Sequence, residues 1–161
     1  LADWLIINET QTLALKSSTN AKSVAWAITE FADENDNNYP PVDKWGDSED
    51  IKGDIGSTKV IYSPQLVGTG WHPPGADKVT PEEAWQLACH YAMNAGLAGK
   101  KRDVRRQQIL LFECDLGWNG SGGLDDAIKY MEKNNLVKIP VALEDGATEL
   151  MTQEELKTLK W

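Results

Sequence analysis

At 161 residues the chain is long enough to bury a sizeable single core, and an apolar fraction of 41% with seven tryptophans marks a folded globule rather than a disordered tail. The formal net charge of −9 argues against a nucleic-acid partner, because phosphate binding needs a cationic face. The basic cluster Lys100-Lys101-Arg102 with Arg105-Arg106 reads as a solvated face that balances acidic neighbours. Near the start the longest strongly apolar run is Trp4-Leu5-Ile6-Ile7, far below the roughly 20 residues of a membrane-spanning helix. Asp3 and Glu9 stand where a signal peptide would be basic.

Residues 10–34 read as a helix. Leu13, Ala21, Val24, Ile28 and Phe31 recur at mostly three- and four-residue steps, with Lys22, Ser23 and Glu30 off the stripe. Pro40 and Pro41 end it, since neither donates a backbone N–H and each pushes its predecessor out of helical conformation. Residues 42–80 form a turn-rich insertion in which only Thr58–Ser63 has strand character, and Trp45 and Trp71 are expected to pin it to the core. Thr80-Pro81-Glu82-Glu83 is a capping-box helix start, and Trp85, Ala88, Cys89 and Ala92 extend that helix to Gly96. Gln108–Cys114 is a buried strand, and the glycine-rich loop 117–123 leads into a helix near Leu124–Lys133. Lys138–Leu143 and Ala147–Leu150 make a hairpin about Asp145-Gly146, and Thr152-Gln-Glu-Glu155 caps a last helix that runs to Trp161. The order of elements is α+β: a long N-terminal helix region (1–34), the insertion (42–80), and an antiparallel sheet with a C-terminal helix (108–161), all in one domain spanning 1–161.

Few groupings carry chemistry. The loop 117–123 lacks the Lys-Ser/Thr of a phosphate-binding loop, and Asp125 and Asp126 follow where an anion would sit. Asp33-Glu-Asn-Asp-Asn-Asn38 starts like a calcium loop but has Asn38 and Lys44 where glycine and glutamate belong. A looser calcium site would draw on Asp36, Asp43, Asp47, Glu49 or Asp50, and the plainer reading is a solvated acidic turn. Cys89-His90, on a helix, would diverge by about 100° and not meet as nucleophile and base. No zinc spacing or nucleophile elbow is present, so no metal, cofactor or catalytic residue is expected. Cys89 and Cys114 would pair in an extracytoplasmic protein, closing a loop of about 25 residues worth about 3 kcal/mol; in the cytosol they would be buried thiols.

Three pieces, in order, resemble bacterial prepilin-type proteins of the subgroup with a His-x9-Asp-Gly motif. They are Phe31-Ala-Asp-Glu-Asn-Asp-Asn-Asn-Tyr-Pro-Pro41 at the helix end, Ile109-Leu-Leu-Phe-Glu113 with Trp118 and Gly120–Gly123, and Val141-Ala-Leu-Glu-Asp-Gly-Ala-Thr-Glu-Leu150. The histidine position, ten before Asp145, is Asn135. The resemblance implies a type IV pilin-like or pseudopilin-like fold and a non-catalytic structural subunit. It implies partners that are other pilin-like subunits in a homo-oligomer or filament, an extracytoplasmic location, and membrane attachment only through an apolar anchor ahead of Leu1. Asp145 and Gly146 would then be a structural turn. Trp4, Leu5, Ile6 and Ile7 surround the helix with apolar surface, so Trp4, Leu5 and Ile7 are expected to be assembly contacts. The alternative is a secreted or periplasmic binding module that holds glycan or peptide in a groove made by Tyr39, Trp45, Trp71 and His72.

Overall fold

The computed structural model describes residues 2–161, and at positions 2, 3 and 5–7 it describes the backbone alone. Its organising element is helix α1 (Ala2–Glu34), 33 residues and about 50 Å long. Six further helical segments of one or two turns precede the first strand: α2 (Glu49–Ile55), α3 (Pro64–Val67), α4 (Pro81–Ala84) and 3₁₀ turns at Trp45–Asp47, Thr58–Ile61 and Ala76–Lys78. Strands β1 (Tyr91–Asn94), β2 (Ile109–Glu113), β3 (Ser121–Gly122), β4 (Ile139–Leu143) and β5 (Thr148–Met151) form a sheet in the order β3-β1-β2-β4-β5. Helix α5 (Leu124–Lys133) lies between β3 and β4, and α6 (Gln153–Leu156) follows β5.

Alternation along the strands shows that the sheet is covered on both faces. In β1, Tyr91 and Met93 join a core with α1, while Ala92 joins a second core with Ala127, Tyr130 and Met131 of α5. In β4 the assignment alternates the same way, with Ala142 in the first core and Ile139 and Val141 in the second. Strand β2 carries a bulge: Ile109 pairs with Leu143 and Leu111 with Ala142, so Leu110 is an extra residue. That insertion lets Leu110 and Leu111 both enter the α1 core, while Ile109 and Phe112 enter the other.

The second half of α1 is buried all along its inner face. Ala21, Val24, Ala27, Ile28 and Ala32 are fully enclosed between the sheet on one side and α2, α3 and the 58–61 turn on the other. Small side chains allow this close approach, and Asn35–Asn38 then closes the helix with Asp36 and Asn37 at positive φ. Asn37 N donates to Ala32 O at 2.8 Å, and Arg102 N donates to Asn37 O at 2.7 Å, which ties the helix end to the loop after β1.

Several elements follow the sequence closely: α5, β2, the Asp145-Gly146 hairpin and the capping boxes at Thr80 and Thr152. Four expectations are corrected. The last helix, expected to run to Trp161, ends at Leu156. The helix that starts at Thr80 ends at Ala84, and Tyr91–Asn94 is a strand buried on both faces. Thr58–Ile61 is a 3₁₀ turn capped by the Ser57 hydroxyl, not a strand. The sheet is mixed, because Ser121–Gly122 pairs parallel to β1.

Glu144, at the tip of the β4–β5 hairpin, is fully buried and organises the loop 99–108. Its carboxylate accepts from Arg106 Nη2 (2.5 Å) and Nε (3.0 Å), from the Tyr39 hydroxyl (2.9 Å), and from the backbone N–H groups of Gln108 (3.2 Å) and Asp103 (3.3 Å). Burial would raise its pKa, but these donors together hold it below the ordinary glutamate value. A depressed native pKa makes this contribution present at neutral pH and lost as acid brings the pH down through the ordinary glutamate range near about 4.3 and below. Replacing Arg106 leaves a buried charge without its partner, so Arg106→Ala should lose about 3 kcal/mol in urea denaturation at neutral pH. The gap from wild type should narrow as the pH falls below about 4; an unchanged midpoint would remove Glu144 from its organising role.

Candidate functional site

A second buried polar cluster, which joins α1 to the sheet, is built around Glu113, the last residue of β2, which is fully buried. Ser17 on α1 donates its hydroxyl to Glu113 Oε1, and Ser63 Oγ donates to the same atom at 2.5 Å. On Oε2, Tyr130 OH donates at 2.6 Å and Gln65 Nε2 at 3.0 Å. Tyr91 OH lies 2.9 Å from Ser17 Oγ and donates to the Ser17 carbonyl at 3.2 Å. Among the described residues no cation pairs with Glu113; burial outweighs the four donors and raises its pKa.

His90 adjoins this cluster without joining it. Its Nδ1 accepts from Ser63 N at 2.9 Å, and burial lowers its pKa, so it is a neutral acceptor. The Ser63 hydroxyl is committed to Glu113, the backbone amide is what faces the imidazole, and Ser63 is fully buried. The arrangement therefore joins helix to sheet; it does not present a serine nucleophile with its base.

Glu113 binds its proton more readily in the folded state than in the unfolded state. Its contribution to stability is therefore full below about pH 4.3 and declines as the pH rises through the native pKa. Glu113→Gln carries no charge to desolvate. Relative to wild type its unfolding free energy should gain as the pH rises above about 4.3 and level off once the native pKa of Glu113 is passed, whatever constant offset the amide introduces. Parallel pH profiles for the two proteins would contradict this.

Beside the cluster, an open groove of about 480 Å³ runs between α1 and the chain from Lys59 to His72. Lys16, Thr19 and Asn20 line it from one helix face, and Lys59, Tyr62, Thr69, Trp71 and His72 from the other side. The half-buried Trp71 ring is fixed from behind. Tyr62 meets it edge-on at a centroid distance of 5.2 Å and 84°, and His90 lies 5.6 Å away. Gly68 and Gly70, both at positive φ, turn the chain around Thr69.

Two of the four residues expected in a ligand groove are here, Trp71 and His72. The other two are elsewhere, a correction with a clear cause: their polar tips have buried partners. Tyr39 donates to Glu144, and Trp45 is fully enclosed with Nε1 donating to Gly120 O at 2.9 Å. Trp45 also packs against Trp118, ring centroids 5.5 Å apart. Lys16, Asn20, Lys59 and Tyr62 carry no sequence motif, and only the fold brings them together.

A second groove, about 570 Å³, lies where α1 leaves the globule; Ala14, Leu15, Asn135, Leu136, Val137 and Leu150 are among its lining residues. Asn135, at the histidine position of the motif, lies here with positive φ. Of the expected assembly contacts, Trp4 is 65% exposed, and the side chains of Leu5 and Ile7 lie outside the described residues. Asp145 and Gly146 do form the hairpin turn: Asp145 Oδ1 accepts from Ala147 N at 2.9 Å, and Gly146 has φ +88°. The looser calcium donors do not converge. Asp47 accepts from Asn119, Glu49 lies 3.6 Å from Lys52, and no group of three or more metal-binding side chains gathers among the described residues.

Cys89 and Cys114 are both free and buried, the second of the two states the sequence left open. Cys89 packs in the α1 core and Cys114 in the α5 core, so the sheet itself stands between them. Burial pushes each thiol up to about 12. Neither should react with a thiol reagent at pH 8 until the protein is unfolded, and a reductant should leave the melting temperature unchanged. A melting temperature lowered by reductant would reinstate the pairing.

No protein-family model, no curated protein and no solved structure matches the chain.

Proposed function

We propose that the chain is the globular head of a pilin-like or pseudopilin-like subunit, a non-catalytic structural component of a type IV pilus-like or type II secretion-like assembly. The observation that carries this reading is the division of α1. From Ala14 onward its inner face is built into the globule, whereas residues 8–12 are exposed and Trp4 stands 65% open to solvent. Trp4, Leu15 and Trp26 recur at eleven-residue steps, which return to the same helix face within about 20°. All three are exposed, at 65%, 61% and 51%. A single helix with a core stripe on one face from Ala14 onward and an exposed apolar ridge on another suits a subunit that packs against neighbours.

The occupant of that ridge is another pilin-like subunit. The groove of Ala14, Leu15, Leu136 and Val137 continues the ridge onto the head, and Val137 is 75% exposed beside it. The junction Phe31–Pro41, which closes α1, and the hairpin Val141–Leu150, which packs along it, are the pieces that resemble prepilin-type proteins. On this reading the head is extracytoplasmic and is attached to the membrane by an apolar segment ahead of Leu1.

The test is N-terminal sequencing and intact mass of the native protein from fractionated cells, with a Leu15→Arg/Val137→Arg variant alongside. Wild type should appear in membrane or sheared-surface fractions with about 20 apolar residues ahead of Leu1. The variant, altered only at exposed positions, should keep its melting temperature and leave the sheared fraction. A soluble native protein that begins near Leu1, or undiminished recovery of the variant, would overturn the proposal.

A further inference from the structure

The groove between α1 and residues 59–72 has a charge opposite to that of the molecule around it. The chain carries a net charge of −9, yet the residues lining the groove include Lys16, Lys59 and His72 and, among those described, no carboxylate. Its lining includes the half-buried Trp71 indole, against which Tyr62 and His90 already pack. Its rim offers the hydroxyls of Thr19 and Thr69. The volume, about 480 Å³, lies within the range of small-molecule sites.

We propose that this groove binds an anionic saccharide unit, with a sugar ring stacked on Trp71 and its carboxylate held by Lys16 and Lys59. Each part of that ligand answers a feature of the wall. The C–H face of a pyranose covers an indole, the sugar hydroxyls meet Thr19 and Thr69, and one carboxylate answers two ammonium groups. A nucleic acid fits less well, since its dense charge would meet a molecule of net charge −9. The site is distinct from the ridge of Trp4, Leu15 and Trp26, so it stands whether or not the chain assembles into a filament.

Lys16 and Lys59 are both exposed, so their replacement leaves packing intact. The probe is tetragalacturonate, titrated calorimetrically into the folded protein at low salt, with the neutral tetragalactose and a short single-stranded oligonucleotide as comparisons. Wild type should bind tetragalacturonate with a Kd below about 1 mM and bind the neutral sugar at least about tenfold more weakly. Lys16→Gln/Lys59→Gln should lose about tenfold or more, the loss of a charge-assisted contact, whereas Lys22→Gln, on α1 but outside the groove, should bind as wild type. Trp71→Ala should weaken both sugars; where it also lowers the melting temperature, the lysine pair decides. No binding, equal binding of the neutral sugar, insensitivity to the lysine pair, or tighter binding of the oligonucleotide at the same residues would each overturn the assignment.

Discussion

Helix α1 enters the molecule between two layers, and the contact that fixes its depth is polar around Ser17 and Asn20 and again at Asp33, with an apolar stripe between them. Ala21, Val24, Ala25, Ile28 and Ala32 let the helix lie close to the sheet, where larger residues would hold it away. At the near end Ser17 reaches Glu113, whose carboxyl group also accepts hydrogen bonds from Ser63, Gln65 and Tyr130. One side chain on β2 thus gathers α1, the loop before α3, α3 itself and α5. A buried carboxylate left with fewer donors would be costly, so each of these elements is held in one register by the need to satisfy it.

Glu144 does the corresponding task at the other end of the helix. Through Arg106 and Tyr39 it joins the β4–β5 hairpin, the loop 99–108 and the segment that follows α1. Arg102 extends the connection to Asp33 at 2.7 Å. Helix α1 is therefore secured at Ser17 and again near its C-terminus. Residues 8–12 are left exposed, and beyond Ala14 the helix buries one stripe while Leu15 and Trp26 stay open to solvent.

Much of this architecture was legible in the residues. The long helix, the strand Ile109–Glu113, helix α5 and the Asp145-Gly146 hairpin all carry strong local signals: a stripe, an apolar run, or a turn with defined chemistry. Strand β1 did not, because Tyr91–Asn94 is buried on both faces and shows no alternation, while Trp85, Ala88, Cys89 and Ala92 happen to fall at helical spacing after a genuine capping box. The one- and two-turn helices of residues 45–78 are too short for periodicity to reveal, and β3 is two small residues whose pairing depends wholly on β1. The groove was half legible. Trp71 and His72 stand out beside Pro73-Pro74, but Lys16 and Lys59 come from distant segments, and nothing in the sequence separates an enclosed Trp45 from a half-exposed Trp71.

The central claim is that α1 is one helix with two environments, and amide hydrogen exchange on the isolated protein measures it most directly. Amides from Ser17 to Ala32 should be protected to nearly the free energy of global unfolding, and those from Asn8 to Thr12 should exchange through local opening, with the boundary near Ala14. Uniform strong protection from Asn8 onward would mean that the outer turns are packed, and weak protection across Ala21–Ala32 would mean that the helix is not docked. Either pattern would contradict the account.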